Sequence, residues 1–590
     1  MTIKDNSIID ETTEKNIETW LSGNYDEETK SVIQKLKKTD PQKLVDAFYT
    51  NLSFGTGGLR GIMGVGSNRM NQYTVRAATQ GFANYINLQK DLPKNLSVFI
   101  GYDSRNFSSF FAEEVAKVFA ANGIKAYLSK QARSTPLVSF GCRYKKCQAA
   151  VVITASHNPP EYNGFKAYWS DGAQVLPPHD KGIINEVRKI QNPDQVKIAD
   201  KNHALIERIG EEIDHAYLSE TFKLQNYPEL NEKHGHSLKI VYTNIHGTGI
   251  TIVPAILEKW GFNNLTFVEE QKSLDGNFPT VKKPNPEEEP AMEMGIAKLL
   301  KEHGDILLGT DPDADRMGAI VLHKEKPFVL DGNTIACICL YHICEALSEK
   351  GTMPEKAAFI KTIVTTELFR FIAESYGKPC FDVLTGFKYI AELIRKWELS
   401  SENYQYIFGG EESYGYLFGT HARDKDAAIS CALICEAALH AKLEGKTLVD
   451  ILHEIYRKYG IYFEKLHCIC FPESKSGKET LKVLMEKLRK TPPQKIGNSP
   501  VNIFEDYASS TQINLKTSKQ KKIDLPKSNV LRFFLEDGSK ITIRPSGTEP
   551  KIKIYSSVSK KDFSNIEQGI EDCKHQIEQL LKDVDSLLNK

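Results

Sequence analysis

The chain has no surplus of charge of either sign: lysine plus arginine and aspartate plus glutamate number 76 each in 590 residues. Without a net field, general attraction to nucleic acid or to an anionic membrane is excluded, and any recognition of phosphate has to be local. Also missing is an apolar run near the ~20 residues that cross a bilayer. The polar start Met1-Thr2-Ile3-Lys4-Asp5 carries no signal-peptide core. Eleven cysteines, scattered from Cys142 to Cys573, make neither a disulfide framework nor a Cys-x-x-Cys metal pair. Cys337-Ile338-Cys339 and Cys468-Ile469-Cys470 read as alternating helix or strand positions, and the thiols read as buried in a reducing compartment. The lysine-rich stretch 516–527 lacks the interleaved aromatics of a nucleic-acid patch and reads as a solvated loop. A cytoplasmic protein engaging neither nucleic acid nor membrane is the expectation.

What is present is a long α/β pattern, too long for one core and divisible into four domains. The first fifty residues carry apolar positions at helical spacing, Ile17, Trp20 and Leu21, then Val32, Ile33 and Leu36, then Leu44, Val45 and Phe48, which predicts two or three short helices. From Tyr73 onward amphipathic helices alternate with short apolar strands, the pattern of parallel α/β architecture. The charged stretch 190–235 places a boundary near residue 210. The expected domains are 1–210, 211–325, 326–455 and 456–590. The last differs from the others: a strand pair around Glu536-Asp537-Gly538-Ser539 and a final helix over 564–588, with a capping box at Ser564 and Glu567, predict an α+β fold.

Chemistry-bearing residues collect at predicted strand ends. After the apolar run 149–153 comes Thr154-Ala155-Ser156-His157-Asn158-Pro159-Pro160-Glu161-Tyr162-Asn163-Gly164-Phe165-Lys166, whose Asn-Pro-Pro and Asn-Gly signals predict a turn. Ser156 is thereby placed on a bend at the carboxyl end of a strand, where ligands of open α/β sheets bind. Asp311-x-Asp313-x-Asp315 also follows a strand, and its alternating carboxylates can converge on one hard divalent cation. Gly410-Glu411-Glu412-Ser413-Tyr414-Gly415 offers carboxylates and a hydroxyl suited to sugar hydroxyls. Arg544-Pro545-Ser546-Gly547-Thr548-Glu549-Pro550-Lys551 combines a guanidinium, hydroxyls and a glycine turn, the inventory for a phosphate dianion.

The stretch 154–166 resembles the phosphoserine loop of the α-D-phosphohexomutases, and further segments similar to that family occur in family order from residue 54 to residue 551. Phe54-Gly55-Thr56-Gly57-Gly58-Leu59-Arg60-Gly61 is similar to its amino-terminal Arg-Gly loop, Thr385-Gly386-Phe387-Lys388-Tyr389 to a substrate-facing loop, and Thr420-His421-Ala422-Arg423-Asp424-Lys425-Asp426 to the segment holding a catalytic lysine. Ala427 stands where many relatives have glycine. The resemblance implies three similar mixed-sheet α/β domains plus a carboxyl-terminal α+β domain around a central cleft. It implies catalytic roles for Ser156, Lys166, Lys425, His157, Arg60 and Arg316. Glu411, Ser413, Arg423, Lys388, Arg544, Ser546, Gly547 and Thr548 would hold substrate, and Asp311, Asp313 and Asp315 with Ser156 would hold Mg2+. The expected reaction interconverts glucose 1-phosphate and glucose 6-phosphate through a phosphoserine, with glucose 1,6-bisphosphate as intermediate and activator. Mannose or pentose phosphates, or a glucose 1,6-bisphosphate synthase activity, are the alternatives, because the amino-terminal extension and Gly386-Phe387-Lys388 look most like the branch that contains such enzymes. A monomer or homodimer is expected.

Overall fold

The computed structural model describes residues 9–52, 54–55, 58–471, 475–545 and 551–588. The chain divides into two compact units, Met1–Asp331 with Ala391–Phe408 and Ser413–Leu443, and Gly332–Ile390 with Gly409–Glu412 and Glu444–Lys590.

The first unit begins with helices Glu11–Ser22, Glu27–Thr39 and Pro41–Phe48, three as the periodicity allows. Each is started by an aspartate, Asp10, Asp26 or Asp40, whose carboxylate accepts a backbone N–H of the first turn that would otherwise lack a partner. Ile17, Trp20, Ile33, Leu44 and Phe48 form their small core, whereas Val32 is exposed.

A six-stranded sheet follows, built from β1 (Gly58–Ile62), β2 (Ser97–Tyr102), β3 (Lys125–Ser129), β4 (Ala149–Ile153), β5 (Tyr162–Trp169) and β6 (Ile206–Ile209) in the order β1-β5-β4-β2-β3-β6. The outer strand β1 and its neighbour β5 are antiparallel, as are β5 and β4, while β2 pairs in parallel with β3 and β4. Strand alternation puts Val98 and Ile100 in the core with helices Gln72–Leu88 and Ser108–Ala121; Phe99 and Gly101 meet Gly141 and Val138 of helix Thr135–Tyr144 on the other face. The strand β4 is wholly buried, as its unbroken apolar run predicts. Asn163-Gly164, a turn signal in the sequence, lies instead within β5. A side chain at Gly164 would meet the Thr154 carbonyl oxygen at 2.5 Å, so the glycine serves close strand approach.

The second sheet holds β7 (Ile240–Thr243), β8 (Leu265–Phe267), β9 (Ile306–Thr310), β10 (Met317–His323) and β11 (Lys326–Leu330) in the order β11-β10-β9-β7-β8. The chain leaves β9, turns through the aspartates and returns antiparallel as β10, with Thr310 opposite Met317.

In the second unit a largely buried helix, Gly332–Glu349, precedes β12 (Ala357–Thr362), which is parallel to β13 (Cys380–Val383). Next along the chain come β14 (Gln405–Glu411), of which residues 409–411 belong to this unit, and β15 (Gly415–Phe418), which belongs to the first. The last sheet is antiparallel throughout: β16 (Ile461–Cys470), β17 (Lys495–Ile496), β18 (Ser499–Asp506), β19 (Thr511–Asn514), β20 (Gln520–Lys522), β21 (Leu531–Leu535), β22 (Lys540–Pro545) and β23 (Lys551–Lys560). Three sequence readings change here. The lysine-rich stretch contributes β20, an end strand, instead of being all loop. The final helix is Ile566–Leu588 and its first turn is capped by Asn565, whose side chain accepts from Gln568 N, not by Ser564. Cys468 and Cys470 are exposed, because the end of β16 is open to solvent; the other nine cysteines are buried. Among the described residues no helix is long and apolar enough to cross a membrane.

Candidate active site

Ser156 follows β4 with a left-handed backbone, φ 51°, a conformation that costs a non-glycine residue about 1–3 kcal/mol and persists only where its surroundings enforce it. The enforcement is visible. Ser156 N donates to Thr154 Oγ1 at 2.8 Å, and the Ser156 carbonyl accepts from Arg105 Nη2 at 2.6 Å. The same guanidinium donates to the carbonyls of Pro159 at 2.8 Å, Tyr162 at 3.0 Å and Asn158. Its charge is matched by buried Asp103, whose Oδ2 lies 3.4 Å from Nε, and its plane lies over the Phe278 ring at 5.0 Å. One buried ion pair therefore ties four carbonyls of the serine loop to the end of β2. The sequence shows only polar residues at that strand end, Asp103-Ser104-Arg105.

Arg105→Lys keeps the charge and loses the planar fork that reaches four acceptors, so unfolding stability falls by about 3 kcal/mol and turnover by ~100-fold through loop misplacement. Thermal unfolding and steady-state kinetics measure both; a variant with unchanged turnover shows that the loop holds its shape without Arg105.

The three aspartates sit in the turn after β9, with Ala314 at φ 49°, and all three are buried. One oxygen from each lies within 4.8 Å of the others. Ser156 Oγ donates to Asp311 Oδ2 at 2.8 Å. Asp311 Oδ1 accepts from the backbone of Asp315 and of Arg316, each at 3.1 Å. Lys166 Nζ reaches Asp313 Oδ2 at 2.6 Å and Asp315 Oδ2 at 3.2 Å. Thr135 Oγ1 donates to Asp313 Oδ2 at 2.8 Å. Lys425 Nζ lies 3.1 Å from Asp315 Oδ2 and 2.9 Å from Asp424 Oδ1. Gly415 leaves room for that lysine, since a Cβ there would stand 2.0 Å from Lys425 Cδ. Tyr168 Oη donates to Asp424 Oδ2 at 2.8 Å. No local sequence pattern marks Thr135 or Tyr168, whereas Asp424 stands beside Lys425 in the 420–426 segment.

The electrostatics are those of a cation site. Burial and the neighbouring charges of Asp313 and Asp315 push Asp311 well above the usual carboxylate range. Burial acts on Asp313 in the same sense, but the Lys166 ammonium outweighs it and holds Asp313 below that range. Burial alone would lower Lys166; Asp313, Asp315 and Asp424 overcome it and raise its pKa. Asp313 Oδ1 and Asp315 Oδ1 are buried and accept no hydrogen bond. Buried carboxylate oxygens without donors are costly. An all-oxygen set of this kind fits a hard divalent cation, which would also hold Asp311 ionised.

Around this centre, His157 Nδ1 is 3.2 Å from Ser156 Oγ, and burial with the Arg316 and Arg60 guanidinia drives its pKa well below the imidazole range, leaving the ring neutral at pH 7. Arg60, on β1, donates to Asn158 Oδ1 at 3.0 Å. Arg316 is ion-paired with Glu287. Ser413 stands in the turn before β15. Arg423 is fully buried and engages the carbonyls of Thr420 and Ala422 together with Glu398. In the second unit, Glu411 Oε1 accepts from Gly386 N at 2.7 Å, and Lys388 lies over the Tyr389 ring. Arg544 is on β22 next to Tyr555. Ser546, Gly547 and Thr548 lie outside the described residues.

A serine hydroxyl at a strand's carboxyl end, bonded to a buried carboxylate triad and flanked by lysines and arginines, is the inventory of a phosphoryl-transfer centre. Comparison with known proteins specifies it further. Three family models match in order: phosphoglucomutase/phosphomannomutase alpha/beta/alpha domain I at residues 51–194, domain II at 216–324 and domain III at 331–459. A phosphoglucomutase of Staphylococcus haemolyticus is 36% identical over 528 residues, covering 89% of this chain and 93% of that protein. One of Staphylococcus aureus is 35% identical over the same shares. The fold is similar to that of the phosphoglucomutase parafusin from Paramecium in its open form, with a TM-score of 0.65 at 19% identity, covering 91% of this chain and 95% of that one. It is similar as well to a phosphomannomutase-like protein of Thermus thermophilus, with a TM-score of 0.65 at 18% identity, covering 92% and 100%. The chain belongs to the phosphoglucomutase/phosphomannomutase family, the α-D-phosphohexomutases. It is accordingly an enzyme of the phosphotransferase type of isomerase, with three mixed-sheet α/β domains followed by a mostly antiparallel sheet and helix.

Proposed function

We propose that the protein interconverts glucose 1-phosphate and glucose 6-phosphate, with Ser156 as the phosphoryl carrier. The observation that carries the mechanism is the 2.8 Å bond from Ser156 Oγ to Asp311 Oδ2, beside Lys166 on Asp313 and Asp315. The substrate assignment is supported by the curated phosphoglucomutases at 35–36% identity.

Ser156 rests as a phosphoserine. The free hydroxyl of the hexose monophosphate attacks phosphorus, the bond from phosphorus to Ser156 Oγ breaks, and glucose 1,6-bisphosphate forms. After reorientation the bisphosphate returns its other phosphoryl group to Ser156. Lys166 and Arg316 neutralise charge on the moving group, and Arg60 steadies the loop through Asn158. Lys425 takes and returns the hydroxyl proton, with His157, neutral and 3.2 Å from Oγ, as the second candidate. Asp311, Asp313 and Asp315, with Ser156, would hold Mg2+, which would supply Lewis-acid polarisation of the phosphoryl oxygens. Glu411, Ser413 and Lys388 recognise the sugar, while Arg423, fully buried on the carbonyls of Thr420 and Ala422, positions that turn instead of touching substrate; Arg544 with Ser546, Gly547 and Thr548 holds the second phosphate. The four domains 1–210, 211–325, 326–455 and 456–590 belong to this reading, as do a cytoplasmic location and a monomer or homodimer that needs no nucleic acid or membrane.

Turnover compared on glucose, mannose and ribose 1-phosphates tests the substrate: glucose 1-phosphate is expected to lead, and a mannose or ribose preference replaces the assignment. Arg544→Ala is expected to raise KM about tenfold or more in both directions, because a guanidinium grips a dianion without regard to which sugar carbon bears it. A rise in one direction alone contradicts a shared phosphate site.

A further inference from the structure

Of the eleven cysteines only Cys468 and Cys470 are exposed. Both lie on β16, and residues two apart on a strand share a face. The register extends that face. Cys468 opposes Lys553 and Cys470 opposes Lys551 on β23, and Lys553 in turn opposes Arg544 on β22. Directly opposed residues of antiparallel strands project to the same side. Two thiols, two ammonium groups and the Arg544 guanidinium therefore line one face. The adjacent row, His467, Ile554 and Ile543, projects to the other, where both isoleucines are fully buried and His467 pairs with Asp585 of the final helix.

We propose that Cys468 and Cys470 are a thiol-modification site on the phosphate-binding face of this sheet, taking a low-molecular-weight anionic disulfide and thereby weakening sugar-phosphate binding. The step is thiol–disulfide exchange. The cysteine proton passes to water, and the thiolate attacks one sulfur of the reagent. The reagent's S–S bond breaks, a new S–S bond joins cysteine to one half, and the other half leaves as a thiolate. An internal bridge is excluded by geometry. Neighbours on one strand face stand roughly 6.7 Å apart, whereas a disulfide needs Cβ atoms about 3.8 Å apart. The opposing lysines draw in a reagent that carries carboxylates. The attached anionic half then occupies the row leading to Arg544 and competes with phosphate. The effect on substrate rests on Arg544 as a phosphate ligand, as proposed above; the thiol chemistry does not.

Oxidised glutathione serves as the anionic probe and 2-hydroxyethyl disulfide as the neutral one. Peptide mapping by mass spectrometry is expected to find adducts at Cys468 and Cys470, released by dithiothreitol. The rate advantage of glutathione over the neutral reagent, referenced to a cysteine peptide, is expected to fall in Lys551→Gln/Lys553→Gln. The modified enzyme is expected to show KM raised about tenfold, while the Cys468→Ser/Cys470→Ser variant keeps wild-type turnover and ignores the reagent. Absence of adducts at both positions overturns the proposal, as does an adducted enzyme with unchanged KM when Arg544→Ala does raise it. If Arg544→Ala leaves KM unchanged, the phosphate-site reading fails, and adduct mapping with the charge dependence alone upholds or overturns the thiol site.

Discussion

Ser156→Ala is expected to lower turnover by ~10^4-fold or more, the scale on which loss of a covalent nucleophile is felt, with the fold intact. The hydroxyl's hydrogen-bonding partners are Asp311 and His157, so it fills no apolar core. Alanine adopts the left-handed backbone of the loop at a cost like that of serine, and the Arg105 clamp acts on the carbonyls, which remain. Circular dichroism and thermal unfolding should therefore resemble the parent. Incubation with glucose 1,6-bisphosphate labelled in phosphate should transfer no label to the variant. Near-normal turnover, or label retained by the variant, moves the carrier to another residue.

Asp313→Asn is expected to cost about 10²- to 10³-fold in turnover at fixed magnesium, through weaker binding of a hard cation and loss of the charge that holds Lys166. Asp313 Oδ2 is already occupied by Lys166 and Thr135, while Oδ1 accepts no hydrogen bond, so the carboxylate faces its neighbours with one edge and the cation site with the other. Asparagine preserves shape and one acceptor but not charge. Raising magnesium should recover part of the loss, and calorimetric titration should show the weakened affinity directly. Parent activity unchanged in excess chelator rules out the metal assignment. The acid limb has a definite sign: Asp313 is held below its unfolded value of 3.8, so its contribution to stability is complete above about pH 5 and is lost as pH falls through and below ~4. The variant lacks that component.

Much of the chemistry was legible because it is local. Asp311, Asp313 and Asp315 alternate after an apolar strand, and spacing plus residue type already describe a hard-cation turn. The bend that carries Ser156 was legible for the same reason, since a wholly apolar run predicts buried β4 and proline breaks it, while the role of Ser156 is what the resemblance implies. Where local signals competed with tertiary demands they misled. Asn163-Gly164 reads as a turn yet is strand, because the chain must approach the Thr154 carbonyl closely. Cys468 and Cys470 read as buried because cysteine usually is, but they fall on the open end of an outer strand.

The sequence by itself determined most element types, the family order of the motifs and which residues are proposed as carrier and triad. Element types depend on backbone preference and apolar periodicity within a few residues, whereas the motif order and the residue roles are what the family resemblance implies. Only the tertiary structure decided that Ser156 Oγ meets Asp311 across 155 residues of chain, that Lys166 meets Asp313 across 147, and that Arg105 gathers four carbonyls of the serine loop. Such meetings follow from strand order and from how loops at the carboxyl ends of two sheets converge. Hydrophobic periodicity states which side of a strand is buried but not which strand lies beside it, so these contacts exist only once the sheets are assembled.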